Sequence, residues 1–363
     1  MNKKWNLLIY ISTFAFFIFS ILSLYNAQNM IHVDNLITKQ IIWYILGIIL
    51  ILIIKKVGNK FLIDKIIYVY IFMNILLLLL LIFGKPVNNS KCWFEIPGIG
   101  TFQPSEFMKI VLIIYIAKIL SKEKLLNIKD EFKLLIKIFF LLLIIPSILT
   151  FLEPDTGVVI MYLIITILQL FISGLNLKWF IGLFLFILLI LSFIFCIYSI
   201  DKDLFVNIFG TSFFLRIDRI LDWSNKSGYQ LENSLISIGS SGLLGFGFRL
   251  PLYFPEPQTD FIFSTLSSSF GYIGSFILIL FLIIFDLSMI NIAIKSKEKI
   301  NKYIITGFTG VLIYQQIQNI GMTFGLLPIT GITLPFISYG GSSLLSYMIM
   351  IGIVLNIQSE KKK

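Results

Sequence analysis

The chain has 363 residues, of which 58% are apolar and 13% are charged, and its formal net charge is +10. Soluble domains are typically about one-quarter charged, so this composition excludes an ordinary soluble protein. The Lys and Arg residues lie in short segments between apolar runs and form no basic domain. No nucleic-acid partner is therefore predicted.

Ten apolar runs are long enough to cross a lipid bilayer. They fall near residues 7–25, 36–54, 66–83, 103–120, 134–152, 156–174, 179–200, 261–285, 303–325 and 336–357. No small-residue cleavage site follows the first run, so we interpret it as a retained helix and not as a signal peptide. The sequence predicts an all-α polytopic membrane protein, with one transmembrane domain over residues 1–363.

The distribution of positive charge predicts the orientation. With both termini in the cytoplasm, 20 Lys residues face the cytoplasm and eight Lys or Arg residues face outside. Positive charge concentrates in cytoplasmic loops, so we expect both termini to be cytoplasmic. The chain has one histidine, two cysteines without metal-ligand spacing and no phosphate-binding loop. Zinc chemistry and an ATP-driven pump are therefore not predicted.

Residues 201–260 form one long connection, which the charge distribution places outside. Phe205, Phe209 and Phe213 recur there at helical intervals and predict a helix along the outer interface. Residues 227–248 contain repeated glycines and are predicted to form a re-entrant or packed loop. Long connections are uncommon unless they are functional.

Polar side chains at membrane depth are costly, so each is a functional hypothesis. Gln103, Ser105, Glu106 and Lys109 lie in the QPSEFMK segment at the outer start of the fourth span. Glu106 and Lys109 are three residues apart and share a helix face. They form either a charged wall of a substrate cavity or a structural ion pair.

Two more acidic residues lie at outer helix starts. Asp155, in EPDTG, either caps the sixth span or joins Glu106 in a pair of carboxylates that could bind a divalent cation or orient sugar hydroxyls. Asp260, in EPQTDFIF, precedes an apolar run, where burial raises the pKa of a carboxyl group and a helix N-terminus lowers it. Asp260 is either a general base or a helix cap.

The segment 325–345 contains two prolines and a Gly-Gly-Ser-Ser run, which predict a broken helix at membrane depth. Irregular backbone is permitted there only in a protein-lined or hydrated cavity. Its small residues either pack closely or present backbone N–H groups to a lipid-linked phosphate. The candidate contacts are Ser338, Gly340, Gly341 and Ser342.

These motifs resemble, in their order and depth, the SEDS (shape, elongation, division and sporulation) family of peptidoglycan polymerases. The motifs are QPSEF, EPDTG, GYQLENSLISIGSSGLLG, PEPQTDFIF and LPFISYGGSSLL. The resemblance implies an inverting glycosyltransferase, assisted by a divalent cation such as Mg²⁺ or Mn²⁺, on the outer face of the bacterial cytoplasmic membrane. It implies lipid II and an undecaprenyl-pyrophosphate-linked glycan as substrates, and a class B penicillin-binding protein, a transpeptidase, as partner.

Carried over by motif, Asp260 would deprotonate the attacking sugar hydroxyl, while Glu106, Lys109 and Asp155 would line the cavity. The resemblance makes Asp260 and Asp155 the predicted metal ligands.

The pyrophosphate charge would be stabilised by Lys109 or by Arg216 and Arg219. The two arginines could instead anchor the interfacial helix.

The chain departs from the family pattern at several positions. Gln258 stands where histidine is usual, and Ser268 and Ser269 replace a usual pair of glutamates. Phe94 stands where the family commonly has an arginine-tryptophan element. These departures affect the expected substrate contacts more than the chemistry, because Asp260 is unchanged. QPSEFMK and FISGLNLKW resemble the rod-shape branch, whereas EPQTDFIF and GITLPFISYGG resemble the septal branch. We favour the rod-shape branch.

Two other functions remain open at this stage. A lipid II flippase would also use broken helices and intramembrane charges, but it would need charges accessible from both sides. A non-catalytic scaffold would position the transpeptidase and would not need Asp260.

Overall fold

The computed structural model describes residues 2–84, 91–96, 100–123, 127–211, 214, 223, 228–248 and 253–359. Its helices and strands are, in chain order, α1 Asn2–Ile31, α2 Leu36–Val57, α3 Asn59–Phe83, β1 Phe94–Ile96, β2 Gly100–Phe102, α4 Pro104–Lys122, α5 Ile128–Ile138, a π-helical turn Phe139–Leu143, α6 Ile144–Leu152, α7 Thr156–Ile172, α8 Leu177–Ile200, α9 Lys202–Phe209, α10 Tyr229–Ser240, α11 Ile262–Lys295, α12 Lys299–Thr323 and α13 Gly341–Ser359. The fifth predicted span is α5, the π-helical turn and α6 together. An all-α polytopic membrane fold is confirmed.

Composition separates the spans into two groups. Six described segments are long and apolar enough to cross a bilayer, namely Lys4–Ile31, Leu36–Val57, Asn59–Phe83, Ile128–Leu152, Leu177–Ile200 and Ile262–Lys295. α7 and α13 are apolar but shorter. α4 and α12 carry more polar residues, and most of their side chains are buried. The polar helices are therefore shielded from lipid by their neighbours.

The centre of the bundle is built by α4, which contacts α3, α7, α12 and α13. α1 packs along α11, and α2 packs along α13. α8 differs, because none of its most apolar stretch is buried, and its main packing partner among the described elements is α9. β1 pairs antiparallel with β2, and β2 leads directly into α4.

The outer connection differs from its sequence prediction. The predicted interfacial helix is described as α9, whereas Phe213, Arg216 and Arg219 lie outside the described residues. Residues 229–240 form α10 and not a glycine-broken loop. Burial of one face of α10, through Leu231, Ser234 and Ser237, outweighs the roughly 1 kcal/mol that a helical glycine costs. The packed loop is confined to residues 241–248.

Candidate active site

α4, α7, α11 and α13 all begin at the same end of the bundle, because successive spans alternate in direction. The candidate residues from the four motifs lie at or next to these helix starts. Each helix start carries a partial positive charge. The motifs, which are far apart in sequence, are therefore brought to one face of the protein.

Glu106 and Lys109 form a buried ion pair on α4. The Lys109 Nζ lies 2.8 Å from the Glu106 Oε2, and the two side chains are 0% and 6% exposed. The Ser346 hydroxyl donates to the same carboxylate at 3.4 Å, and the ammonium group lies 5.5 Å from the centre of the Tyr347 ring. The spacing correctly predicted a pair on one face.

Asp155 is both a helix cap and a neighbour of this pair. Its Oδ1 accepts from the backbone N–H of Val158 at 3.2 Å, and its Oδ2 accepts from the Gln103 side chain at 2.8 Å. The pKa of Asp155 is raised to about 6: burial and, to a smaller extent, Glu106 raise it, while the hydrogen bonds from Val158 and Gln103 and the charge of Lys109 lower it. The two predictions for Asp155 are thus compatible.

Ser105 and Glu153 lie beside this group. Both are fully buried, and the Tyr162 hydroxyl donates to the backbone carbonyl of Ser105 at 3.0 Å. Burial, with a smaller contribution from Asp155, raises the pKa of Glu153 to about 9, so Glu153 is neutral near pH 7. The ion pair is neutral as a whole, so a net charge on the cluster comes from Asp155.

Asp260 lies just before α11, in a second acidic environment. The N-cap residue of α11 is Phe261, so Asp260 does not occupy the capping position. As a whole residue, Asp260 is partly exposed. Burial by the surrounding protein raises its pKa to about 7, and the nearby Glu256 adds to the increase. The increase in pKa that burial predicts is therefore found at Asp260.

The segment 324–340 is non-helical, as the broken-helix prediction requires, and it separates the two acidic environments. A Cβ placed on Gly331 would lie 3.6 Å from the Asp260 Oδ2. A Cβ placed on Gly157, in the first turn of α7, would lie 3.1 Å from Ile332. Residues 330–332 therefore contact Asp260 on one side and the Asp155 helix start on the other.

The serines of the last motif tie the helix starts together. The Ser338 hydroxyl donates to the Thr259 carbonyl at 2.7 Å, next to Asp260. The Ser342 hydroxyl accepts from the backbone N–H of Gln103 at 2.9 Å.

The glycines of this motif are close-packed. A Cβ on Gly341 would lie 2.5 Å from the Trp43 ring, and one on Gly340 would lie 2.6 Å from the Ser343 hydroxyl. The backbone N–H of Tyr339 donates to the Gln258 carbonyl at 2.8 Å. Close packing, one of the two alternatives, thus describes both glycines.

Sequence reasoning missed the amide side chains of α12. Asn319 donates to the carbonyls of Asp260 (2.9 Å) and Ile332 (2.8 Å), and Gln318 donates to the Pro328 carbonyl at 2.7 Å. The signal was present as QQIQN, four amides within five positions of a predicted span. These side chains hold the broken segment against Asp260.

The positions that depart from the family pattern have local partners. Gln258 donates to the Glu256 carboxylate at 3.0 Å, beside Asp260. Ser269 donates to the Thr265 carbonyl at 2.6 Å and accepts from the Asn26 side chain at 2.6 Å. Ser268 and Ser269 are fully buried. The Ser268 hydroxyl and the Gln258 Oε1 are buried without a hydrogen-bond partner among the described residues.

Fold and site together define a polytopic membrane protein whose ionisable site lies at one end of a helix bundle. The model of the FtsW/RodA/SpoVE family, described as a cell cycle protein, matches residues 2–363. The chain belongs to this family, which is the SEDS family. This confirms the family resemblance, but it does not separate the rod-shape branch from the septal branch.

Curated relatives cover most of the chain. A probable peptidoglycan glycosyltransferase FtsW of Buchnera aphidicola subsp. Schizaphis graminum is 33% identical over 339 residues, which cover 89% of this chain and 90% of that protein. Stage V sporulation protein E of Bacillus subtilis is 34% identical over 290 residues, which cover 76% of this chain and 73% of that protein.

Solved structures share the fold. A chain of a peptidoglycan synthase complex has a TM-score of 0.80 at 23% identity, with 99% of this chain and 98% of that chain covered. The rod shape determining protein RodA of Thermus thermophilus has a TM-score of 0.70 at 23% identity, with 98% and 97% covered.

Proposed function

We propose that the chain is a peptidoglycan glycosyltransferase that polymerises lipid II, with Asp260 as its general base. Family membership and the names of the curated relatives support this activity. The observation that carries the role of Asp260 is its position: an acidic residue that is partly exposed as a whole, next to a helix start, with its backbone held by Asn319.

The reaction balances with one base. The Asp260 carboxylate takes the proton from the acceptor sugar hydroxyl as that oxygen bonds to the anomeric carbon of the donor. The bond from that carbon to the pyrophosphate oxygen breaks, its electron pair leaves with undecaprenyl pyrophosphate, and the configuration inverts. Asp260 then releases its proton to water. A pKa of about 7 suits this cycle, since a general base works best when its pKa is near the operating pH.

Fixed positive charge at the same end of the bundle supports binding of the pyrophosphate. The starts of α4, α7, α11 and α13 each present backbone N–H groups and the positive end of a helix dipole. Lys109 adds a full charge, largely compensated by Glu106 at 2.8 Å. We therefore assign Lys109 to shaping the local field. Arg216 and Arg219, proposed for the same anion, lie outside the described residues.

A divalent cation is part of the proposal. Mg²⁺ usually uses one or two carboxylates together with substrate phosphate oxygens. Asp260 fits this mode, because it is partly exposed and lies near a second carboxylate, Glu256. The oxygens of Asp155 already accept from Gln103 and Val158, so Asp155 fits less well. No cluster of three or more His, Cys, Asp or Glu side chains suited to a metal occurs among the described residues. The cation would supply charge neutralisation at the pyrophosphate.

We further propose the setting of this activity. The chain lies in the bacterial cytoplasmic membrane with both termini in the cytoplasm, as the positive-charge asymmetry predicts. The site then opens on the outer face. A class B penicillin-binding protein would cross-link the product, a proposal supported by the fold shared with a chain of a peptidoglycan synthase complex.

The test is strand synthesis from lipid II, measured by gel with purified protein, a class B penicillin-binding protein and Mg²⁺ or Mn²⁺. We expect strands from the wild type and from Asp34→Asn, a control at an exposed acid in the connection after α1. Asp260→Ala and Asp260→Asn should give none while unfolding at the wild-type temperature. Strand formation at the wild-type rate by Asp260→Ala would contradict the assigned role.

A further inference from the structure

The loop of residues 241–248 is docked on a break in α11. Gly271 has non-helical dihedral angles, φ 63° and ψ −159°, inside this helix and nearer its start than its end. A break frees backbone N–H and C=O groups that need other partners. The loop supplies them: Phe246 and Gly247 donate to the carbonyls of Ser268 and Ser269, both at 2.9 Å.

Bonds in the opposite direction complete the docking. Tyr272 donates to the Gly242 carbonyl at 3.0 Å, and Ile273 donates to the Leu243 carbonyl at 3.2 Å. Two glycines make this close approach possible. A Cβ on Gly245, which has φ +75°, would overlap the backbone of Ser269, and a Cβ on Gly271 would lie 2.5 Å from the Gly245 nitrogen.

The docked loop turns large apolar side chains outward. Leu243 is 67% exposed, Leu244 is 76% exposed and Phe248 is 51% exposed. Such exposure would be unfavourable in water and favourable in an apolar environment. The patch continues onto exposed aromatic residues of the adjoining helices, Tyr25 of α1 and Tyr272 of α11, and Phe248 contacts Tyr25 edge-on at 5.3 Å.

Helix geometry places this patch at the edge of the hydrocarbon opposite Lys4 and Lys295, which is the outer edge in the proposed orientation. A rise of about 1.5 Å per residue puts Tyr25 about 32 Å from Lys4 along α1 and Tyr272 about 35 Å from Lys295 along α11. The hydrocarbon core is about 30 Å thick, and tyrosines concentrate at its boundaries. Two independent helices therefore assign the patch the same depth.

We propose that residues 241–248 are an outer-leaflet anchor, in which Leu243, Leu244 and Phe248 lie among lipid chains. The occupant is lipid, because the patch is continuous with the lipid-facing surfaces of α1 and α11. Through its backbone bonds, the anchor fixes the angle at which the segment 262–270 leaves the membrane. This segment begins two residues after Asp260. This anchor does not depend on the glycosyltransferase proposal.

The test measures the depth of a nitroxide label in lipid nanodiscs. In a Cys196→Ser background, which leaves the buried Cys92, Leu244→Cys is labelled and compared with Glu232→Cys on an exposed position of α10. We expect the ratio of oxygen to nickel-chelate accessibility to be severalfold higher at position 244. A ratio equal to that at 232 places the loop in water, and shielding from both reagents identifies a protein occupant. Either result overturns the proposal.

A second variant tests the coupling to the helix break. Gly245→Ala in the labelled Leu244→Cys protein should lower the accessibility ratio severalfold, because the added methyl group prevents docking. Gly239→Ala is the matched control, since its Cβ would meet nothing within 4 Å. An unchanged ratio in Gly245→Ala would overturn the coupling. The same ratios are expected in an Asp260→Asn background, so failure of the proposed catalytic role leaves this test intact.

Discussion

At the scale of single residues, the environment of Asp260 decides its chemistry. Burial raises the pKa of Asp260 to about 7, and Glu256 contributes in the same direction. Glu256 is itself held in place, because its carboxylate accepts from the side chains of Gln258 and Thr259 at 3.0 and 2.9 Å. Gln258, one of the positions at which the chain departs from the family pattern, thus positions the carboxylate that raises the pKa of Asp260.

The pH dependence of strand synthesis follows from this arrangement. Only ionised Asp260 accepts a proton, so the rate should fall as pH decreases through about 7. Glu256→Gln removes a negative charge that raises the pKa of Asp260, and the acid limb of the rate profile should therefore move to lower pH. Rates measured from pH 5 to 9 check this, with Asp34→Asn as control. A move to higher pH would contradict the prediction.

Variants of the Glu106–Lys109 pair can show whether this pair only stabilises the fold or also shapes the substrate site. Lys109→Met leaves a buried carboxylate unpaired, which should cost about 3–5 kcal/mol of stability. The double variant Glu106→Gln/Lys109→Met should recover most of that loss, as followed by thermal unfolding. If the pair shapes the substrate site, strand synthesis stays low in the double variant.

Full recovery of strand synthesis together with stability would assign the pair a structural role only. The matched control is the exposed pair Glu123–Lys137, which is 2.9 Å apart. Because exposed pairs contribute little, Lys137→Met should cost less than about 1 kcal/mol.

At the scale of the elements, α12 positions the site through its amide side chains. Asn319 bonds two carbonyls on different segments, those of Asp260 and Ile332. Gln316, three residues earlier on the same helix, donates instead to Asp286 of α11 at 3.1 Å. One helix therefore holds both the broken segment and its neighbour α11.

Asn319→Leu should displace Asp260 without removing any reacting group. Two carbonyls lose their donor, which costs roughly 1–3 kcal/mol each when buried, and kcat should fall at least tenfold while KM changes little. The pH profile should also shift, since Asp260 changes its surroundings. Gln316→Leu should lower stability and leave the pH profile unchanged. An unshifted profile and a normal kcat in Asn319→Leu would contradict the positioning role.

Element prediction succeeded where a long apolar run or a strong motif decided the structure, and it failed where packing decided it. The ten spans follow from hydropathy, because a bilayer requires long apolar helices. α10 was missed, because its helix depends on burial of one face against neighbours distant in sequence. The role of Asn319 was missed for the same reason: its partners lie 59 and 13 residues away.

At the scale of the whole molecule, the bundle is polar at one end and packed toward the other. On the C-terminal side of Lys109, the buried side chains of α4 are apolar, from Ile110 through Ile114 and again at Ile116 and Ala117. Gln169 of α7 donates to the carbonyls of Ile113 and Tyr303 at 2.9 and 3.0 Å, which ties α4, α7 and α12 together at this level. A transporter must open its site to each side of the membrane in turn. The buried apolar side chains of α4 offer no polar route past Lys109 along this helix, which favours chemistry at one face.

Proteoliposomes that contain fluorescent lipid II separate a polymerase from a flippase. Because the packed half of the bundle blocks passage, the protein should not accelerate exchange of lipid II between leaflets beyond the rate in protein-free liposomes, as measured by chemical quenching from outside. Given a class B penicillin-binding protein and a divalent cation, the same preparation should form glycan strands, and Asp260→Ala should form none. Rapid exchange that persists in Asp260→Ala, without strand formation by the wild type, would instead identify a transporter. The two activities place opposite demands on the part of α4 that follows Lys109. For a polymerase, its packing against the neighbouring helices must stay intact, whereas for a flippase this packing must open.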